Sequence, residues 1–253
     1  MTALDDPRVL EARLDPSWLR GFDVSKFQLE IDFERAKAGG IRFGWIREGE
    51  STWGTPDDRW MRNWPACHAA GVPCGPYHPV HGDAPGRDQA RILRDRCRDW
   101  EHGRDLRPAI DLETRGGAPL HEAEAMAEEV ESLFGVAPVL YVGKWFAREI
   151  GLTRSSPLAK LLLWLPAYAH PELPDAWDRW HVWQHTAKGR VPGISTACDL
   201  DVIRTRADLD ELRGVEVVEA SIRELPRAES IVAPMQAAEI GGYVNRDSRE
   251  SES

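Results

Sequence analysis

Eight short apolar runs punctuate the chain, with polar or charged segments between them. They are LRGFDVS around Phe22, IRFGWIREGE from Ile41, VPCGPYHP from Val72, RPAIDLE from Arg107, APVLYVG from Ala137, KLLLWLPAY from Lys160, WHVWQH from Trp180 and ACDLDVI from Ala197. Their length and their content of branched and aromatic residues predict strands. Between them, Ile92 or Leu93, Cys97 and Trp100 fall about one helical turn apart, as do Met126, Val130, Leu133 and Phe134, which predicts two amphipathic helices. Mostly apolar strands alternating with helices point to a parallel sheet buried on both faces, and eight of them point to closure. The expected fold is therefore α/β, a single-domain (β/α)8-type TIM barrel. Prolines at 166, 171, 174 and 192 crowd the last third, so some helices should be missing or irregular and the barrel distorted. No G-x-G-x-x-G follows a strand to support an open doubly wound sheet.

Composition narrows the picture. A chain of 253 residues with 42% apolar content suits one large domain, expected over 19–214. Residues 1–18 read as an extension, and residues 215–253, with eight acidic and four basic side chains, as an acidic tail that is partly helical or disordered. The formal charge of −10 argues against a general nucleic-acid or anionic-membrane partner, which would need a basic surface. No apolar run approaches membrane-spanning length, and MTALDDPRVLEARLDPSWLR lacks the basic and apolar regions of a Sec signal. Cys67, Cys74, Cys97 and Cys198 form no C-x-x-C pair and read as buried thiols, with a Cys67–Cys74 disulfide left open.

The candidate chemistry lies in LRPAIDLETRGG, where Asp111 and Glu113 close an apolar run. Side chains two residues apart on a strand share a face, with α-carbons about 6–7 Å apart. At the C-terminal end of a barrel strand they would line the mouth. Neighbouring carboxylates repel, so one holds its proton toward neutral pH while the other stays charged, the division of labour that glycoside hydrolysis uses. Alone, D-x-E reads more readily as a solvated or salt-bridged strand end. Asp23, then Glu48 and Glu50, then Asp199 and Asp201 add acids from three further strands. Tyr77, Tyr141, Trp164, Tyr168 and Trp183 accompany them; each alone suits a core, but together they suit a groove in which sugar faces stack on rings.

In order along the chain these segments resemble the lysozymes of glycoside hydrolase family 25, the Chalaropsis-type N-acetylmuramidases. GFDVSKFQ is similar to the family's G-x-D-V-S-x-x-Q, FGWIREGES to F-x-x-I-K-A-T-E-G, GVPCGPYHP to G-x-x-x-G-x-Y-H-F and PAIDLE to P-x-L-D-x-E. PVLYVG, LWLPAY and WHVWQHTAKGRVPGISTACDLDVI resemble the segments that follow, so the likeness runs from about Leu19 to Leu212. It implies cleavage, with retention, of the β-1,4 bond between N-acetylmuramic acid and N-acetylglucosamine in bacterial peptidoglycan, without metal or cofactor. It also implies that Glu113 is the general acid, that Asp111 assists at the anomeric centre by orienting the sugar's N-acetyl group, and that Asp23 and Asp199 are acidic supports. Glu50 and Gln184 match substrate-contacting positions. Arg47 replaces the usual lysine, Asp201 the usual asparagine, and Pro79 a common aromatic. A monomeric endolysin made in a host cytoplasm and released through a holin lesion, or a virion-associated lysin, fits the resemblance.

Other readings fit less well. Related chitinases carry D-x-x-D-x-D-x-E, whereas Arg107, Pro108, Ala109 and Ile110 precede Asp111 here. A metal-dependent barrel hydrolase would need a histidine pair on the first strand, but the near pairs are His78 with His81 and His181 with His185. A non-catalytic glycan-binding barrel of a virion or wall would tolerate amides at 111 and 113.

Overall fold

The computed structural model describes residues 14–49, 54–168 and 170–215. Strands β1 (Leu19–Val24), β2 (Ile41–Arg47), β3 (Cys74–Pro79), β4 (Ala109–Asp111), β5 (Val139–Tyr141), β6 (Leu162–Pro166), β7 (Val182–Gly189) and β8 (Cys198–Ile203) close into a barrel in chain order. Each falls on one of the eight predicted runs. The pairings from β1 to β7 are parallel, but β8 runs antiparallel to both β7 and β1. This corrects the expectation of a wholly parallel sheet. Only residues 190–197 join β7 to β8, too few for a crossover, so the chain reverses as a hairpin. Asp199 consequently sits near the start of its strand, yet its register partner is Asp23, so it reaches the mouth from the other direction.

Helices α1 (Phe33–Ala38), α2 (Trp60–Ala69), α3 (Gly86–Arg96), α4 (Pro119–Phe134), α5 (Lys144–Glu149) and α6 (Arg206–Leu212) pack outside. No helix joins β6 to β7 among the described residues, as the prolines there foretell. The better-formed of the two predicted helices is α4: Pro119 starts it, Met126, Val130 and Phe134 form its buried stripe, and Gly135 ends it at φ 70°. α3 stops at Arg96, earlier than the spacing of Cys97 and Trp100 suggests, although the Trp100 ring still packs on Phe134 at 5.1 Å. The four cysteines are free and buried.

The core has two shells, and strand parity assigns residues to them. Phe43, Trp45, Tyr77, Ala109, Val139, Tyr141, Trp164 and Val182 fill the barrel interior. Phe22, Ile46, Ile110, Leu140, Leu163, Leu165 and Trp183 point outward to the helices. The glycines after Glu113 serve this scaffold: Gly117 has φ 57°, and a Cβ there would overlap the Gly82 carbonyl. Only glycine lets that loop close against the one after β3, where Ala118 N–H donates to Gly82 O at 3.0 Å.

Candidate active site

Interior parity carries each acid to the mouth. On β4 and just beyond it, Ala109, Asp111 and Glu113 share the inward face, while Ile110 and Leu112 pack outward. Trp164 forms the floor: its ring stacks on Trp45 at 4.6 Å and meets the edges of Tyr141 at 4.9 Å and Tyr77 at 6.1 Å. Above it opens a cleft of about 300 Å³ lined by Asp23, Asp111, Glu113 and Asp199, with Arg47, Tyr77, Tyr141, Tyr168, Gln184, Phe27, Ser25 and Gln28 completing the walls.

The carboxylates are held in a state unusual for a protein surface. Asp111 is buried, and its Oδ1 has no hydrogen-bond partner among the described residues. Loss of water and the nearby Glu113 push its pKa well above the carboxylate range, against the pull of Arg47. Glu113 stands at the exposed rim; dehydration in the cleft raises it too, again opposed by Arg47. Burial, with the neighbouring acids Asp199 and Asp201, raises Asp23, against a 2.7 Å hydrogen bond from Gln184 Nε2. Asp199 is pushed up to about 6, chiefly by burial. The Gln184 amide links the two walls, since its Oε1 accepts from Tyr141 Oη at 3.1 Å and Tyr168 Oη at 3.3 Å. The arrangement can hold a proton on one acid near neutral pH while a second engages a bound sugar. Among the described residues no group of three or more His, Cys, Asp or Glu side chains has the geometry of a metal site.

Nine of the predicted site residues converge here: Asp23, Asp111, Glu113, Asp199, Tyr77, Tyr141, Trp164, Tyr168 and Gln184. Trp164 is only 1% exposed, so it supports the site from below and offers no free face to a sugar. Trp183 does not line the cleft, a correction to the sequence reading. Because Gln184 points inward, its neighbour must point outward, and the Trp183 ring packs among Trp18, Trp180 and His185. Glu50 lies outside the described residues. Sequence reasoning missed Phe27, 65% exposed on the cleft wall, and marked Arg47 only as a replacement for the usual lysine, although it faces into the cleft. A signal for Phe27 existed: Ser25 and Gln28 form a capping box around a tight 3-10 turn, Lys26–Gln28, which thrusts the ring outward.

A closed barrel that gathers carboxylates from β1, β4 and β8 above an aromatic floor defines the class of protein as a glycoside hydrolase. The model of Glycosyl hydrolases family 25 matches residues 22–194, and the protein belongs to that family. Uncharacterized protein YegX of Escherichia coli O157:H7 is 30% identical over 198 residues, 73% of this chain and 69% of that protein. Lysozyme M1 of Streptomyces globisporus is 26% identical over 200 residues, 73% of this chain and 67% of its own. The solved bacterial lysozyme from Streptomyces coelicolor superposes with a TM-score of 0.70 at 24% identity, covering 79% of this chain and 98% of that one.

Proposed function

We propose that the protein is a lysozyme, an N-acetylmuramidase that cleaves the β-1,4 bond between N-acetylmuramic acid and N-acetylglucosamine in bacterial peptidoglycan with retention. The observation that carries this reading is the pair on β4: a rim acid, Glu113, beside a buried acid, Asp111, whose Oδ1 is unpartnered. Protonated Glu113 donates to the departing glycosidic oxygen. Asp111 Oδ1 accepts from the N–H of the sugar's N-acetyl group and turns that group's carbonyl oxygen toward the anomeric carbon. Water then opens the resulting ring, with Glu113 taking up its proton, and two inversions give net retention. Asp23 and Asp199 surround the developing positive charge, while Tyr168 and Phe27 offer ring faces to the glycan. Glu50 is assigned a hydrogen-bonding contact with the substrate.

The same proposal places catalysis in residues 19–214, in a monomer, so that removal of 215–253 leaves cleavage of soluble fragments intact. A lytic setting suits it: an endolysin held in a host cytoplasm until a holin lesion opens the route to the wall. The test is digestion of purified peptidoglycan by wild type and Glu113→Gln, then borohydride reduction and mass spectrometry of the new ends. Reduced muramic acid made by wild type alone supports the reading. Reduced glucosamine ends would move the cleaved bond, and wall binding without new ends would favour a glycan-binding barrel.

A further inference from the structure

Asp201 neither lines the cleft nor takes part in any ion pair among the described residues, and it is wholly buried. It sits on the inner face of β8, one layer below Asp199, opposite Gly21 on β1 and Gln184 on β7. Its Oδ1 accepts a 2.7 Å hydrogen bond from the Trp164 indole, whereas Oδ2 is buried without a partner among the described residues. The charged groups facing it are both acids, Asp23 from β1 and Asp199 from its own strand; β7 presents the neutral Gln184 and β6 the Trp164 ring. The cleft's cation, Arg47, acts on Asp111, Glu113 and Tyr77 instead.

An ionised carboxylate with one hydrogen bond, shut away from solvent beside two other acids, is among the costliest arrangements a protein interior can hold. Keeping the proton removes that cost. We propose that Asp201 is a resident neutral acid, protonated across the working range of the enzyme, and that it positions the Trp164 floor while adding no negative charge beside Asp23 and Asp199. Burial acts in this direction most strongly and the Asp199 carboxyl adds to it, against the hydrogen bond from the Trp164 indole. A protonated carboxyl has nearly the shape of an amide, with one accepting oxygen and one donating group. Aspartic acid thereby does here what an asparagine would do.

The inference rests on the hydrolase reading for its kinetic arm only. The direct arm follows carbon-13 carboxyl resonances of Asp-labelled protein, with the Asp201 signal assigned by its loss in Asp201→Asn. That signal is expected to stay at the protonated position from about pH 5 to about pH 8, against an ordinary aspartate value of about 3.9. In the kinetic arm, Asp201→Leu loses kcat by about tenfold or more because the indole N–H has no acceptor, and Asp201→Asn rescues it to within about threefold with both limbs of the kcat/KM pH profile unmoved. A carboxylate signal at neutral pH would overturn the proposal. So would limbs displaced to lower pH in Asp201→Asn, the effect of deleting a real negative charge. If Asp201→Leu fails to fold, the asparagine variant still decides, and if wild type shows no hydrolysis the resonance alone decides.

Discussion

Two groups of buried carboxylates lie in the wall of the same barrel and are treated in opposite ways. Glu48, just past β2, is wholly buried and bonded on one oxygen to His78 Nδ1 and on the other to Arg96. The satisfaction continues outward: His78 Nε2 lies 3.3 Å from Gln89 Oε1, and Gln89 Nε2 donates to the carbonyls of His81 and Ala84, each at 2.9 Å. Arg96 also holds the carbonyls of Gly54 and Thr55, fastening the segment that returns toward α2. Asp111 and Asp201, by contrast, each keep a buried oxygen without a partner among the described residues. A fully paired buried carboxylate belongs to the scaffold, whereas an unpaired one is retained at a cost that only function repays.

That contrast can be broken or sharpened by substitution. The largest effect is expected from Glu113→Gln, which removes the proton donor: kcat/KM should fall by about 10²–10⁴ while the unfolding midpoint stays at or above that of wild type. Glu48→Ala should do the reverse, costing about 3–5 kcal/mol in urea unfolding because Arg96 loses its counter-charge and His78 its hydrogen-bond partner, with turnover well below the midpoint changed far less than in the Glu113 variant. Equal losses of activity in both variants would erase the distinction.

A smaller effect concerns pH. Asp199 is raised in the folded state to about 6, above an unfolded value of about 3.9, so between these values the folded protein binds more protons than the unfolded chain. Its contribution to stability is therefore most favourable below about pH 4 and is lost as the pH climbs through about 6. Thermal melts across that window should show a decline from this group, and Asp199→Asn should flatten it. The smallest changes belong to the rings: Phe27→Ala and Tyr168→Ala should each raise KM about 2–10-fold with kcat nearly kept, as loss of about 0.5–1.5 kcal/mol of stacking implies.

Much of this architecture is legible in the residues. The eight apolar runs mark the strands because barrel strands are buried on both faces, and the prolines after Trp164 mark the helix missing between β6 and β7. The direction of β8 is less accessible, since an apolar strand reads the same in a parallel or antiparallel pairing and only the shortness of residues 190–197 betrays the hairpin. Period-two alternation could have separated Gln184 from Trp183, and Asp111 from Glu48, by anchoring each strand on its inward residues. What no pattern reveals is pairing at a distance: that Arg96, 48 residues on, returns to neutralise Glu48, or that no described residue comes to meet Asp111 Oδ1.

The central claim is that the unpartnered oxygen of Asp111 is held for substrate. A crystal structure of Glu113→Gln with a bound N-acetylmuramic acid–N-acetylglucosamine oligosaccharide tests it most directly. The account predicts Asp111 Oδ1 accepting from the N-acetyl N–H of the sugar whose anomeric carbon faces residue 113, with Tyr168 or Phe27 against a ring face. A glycan lying in the cleft while that oxygen still has no partner would contradict it.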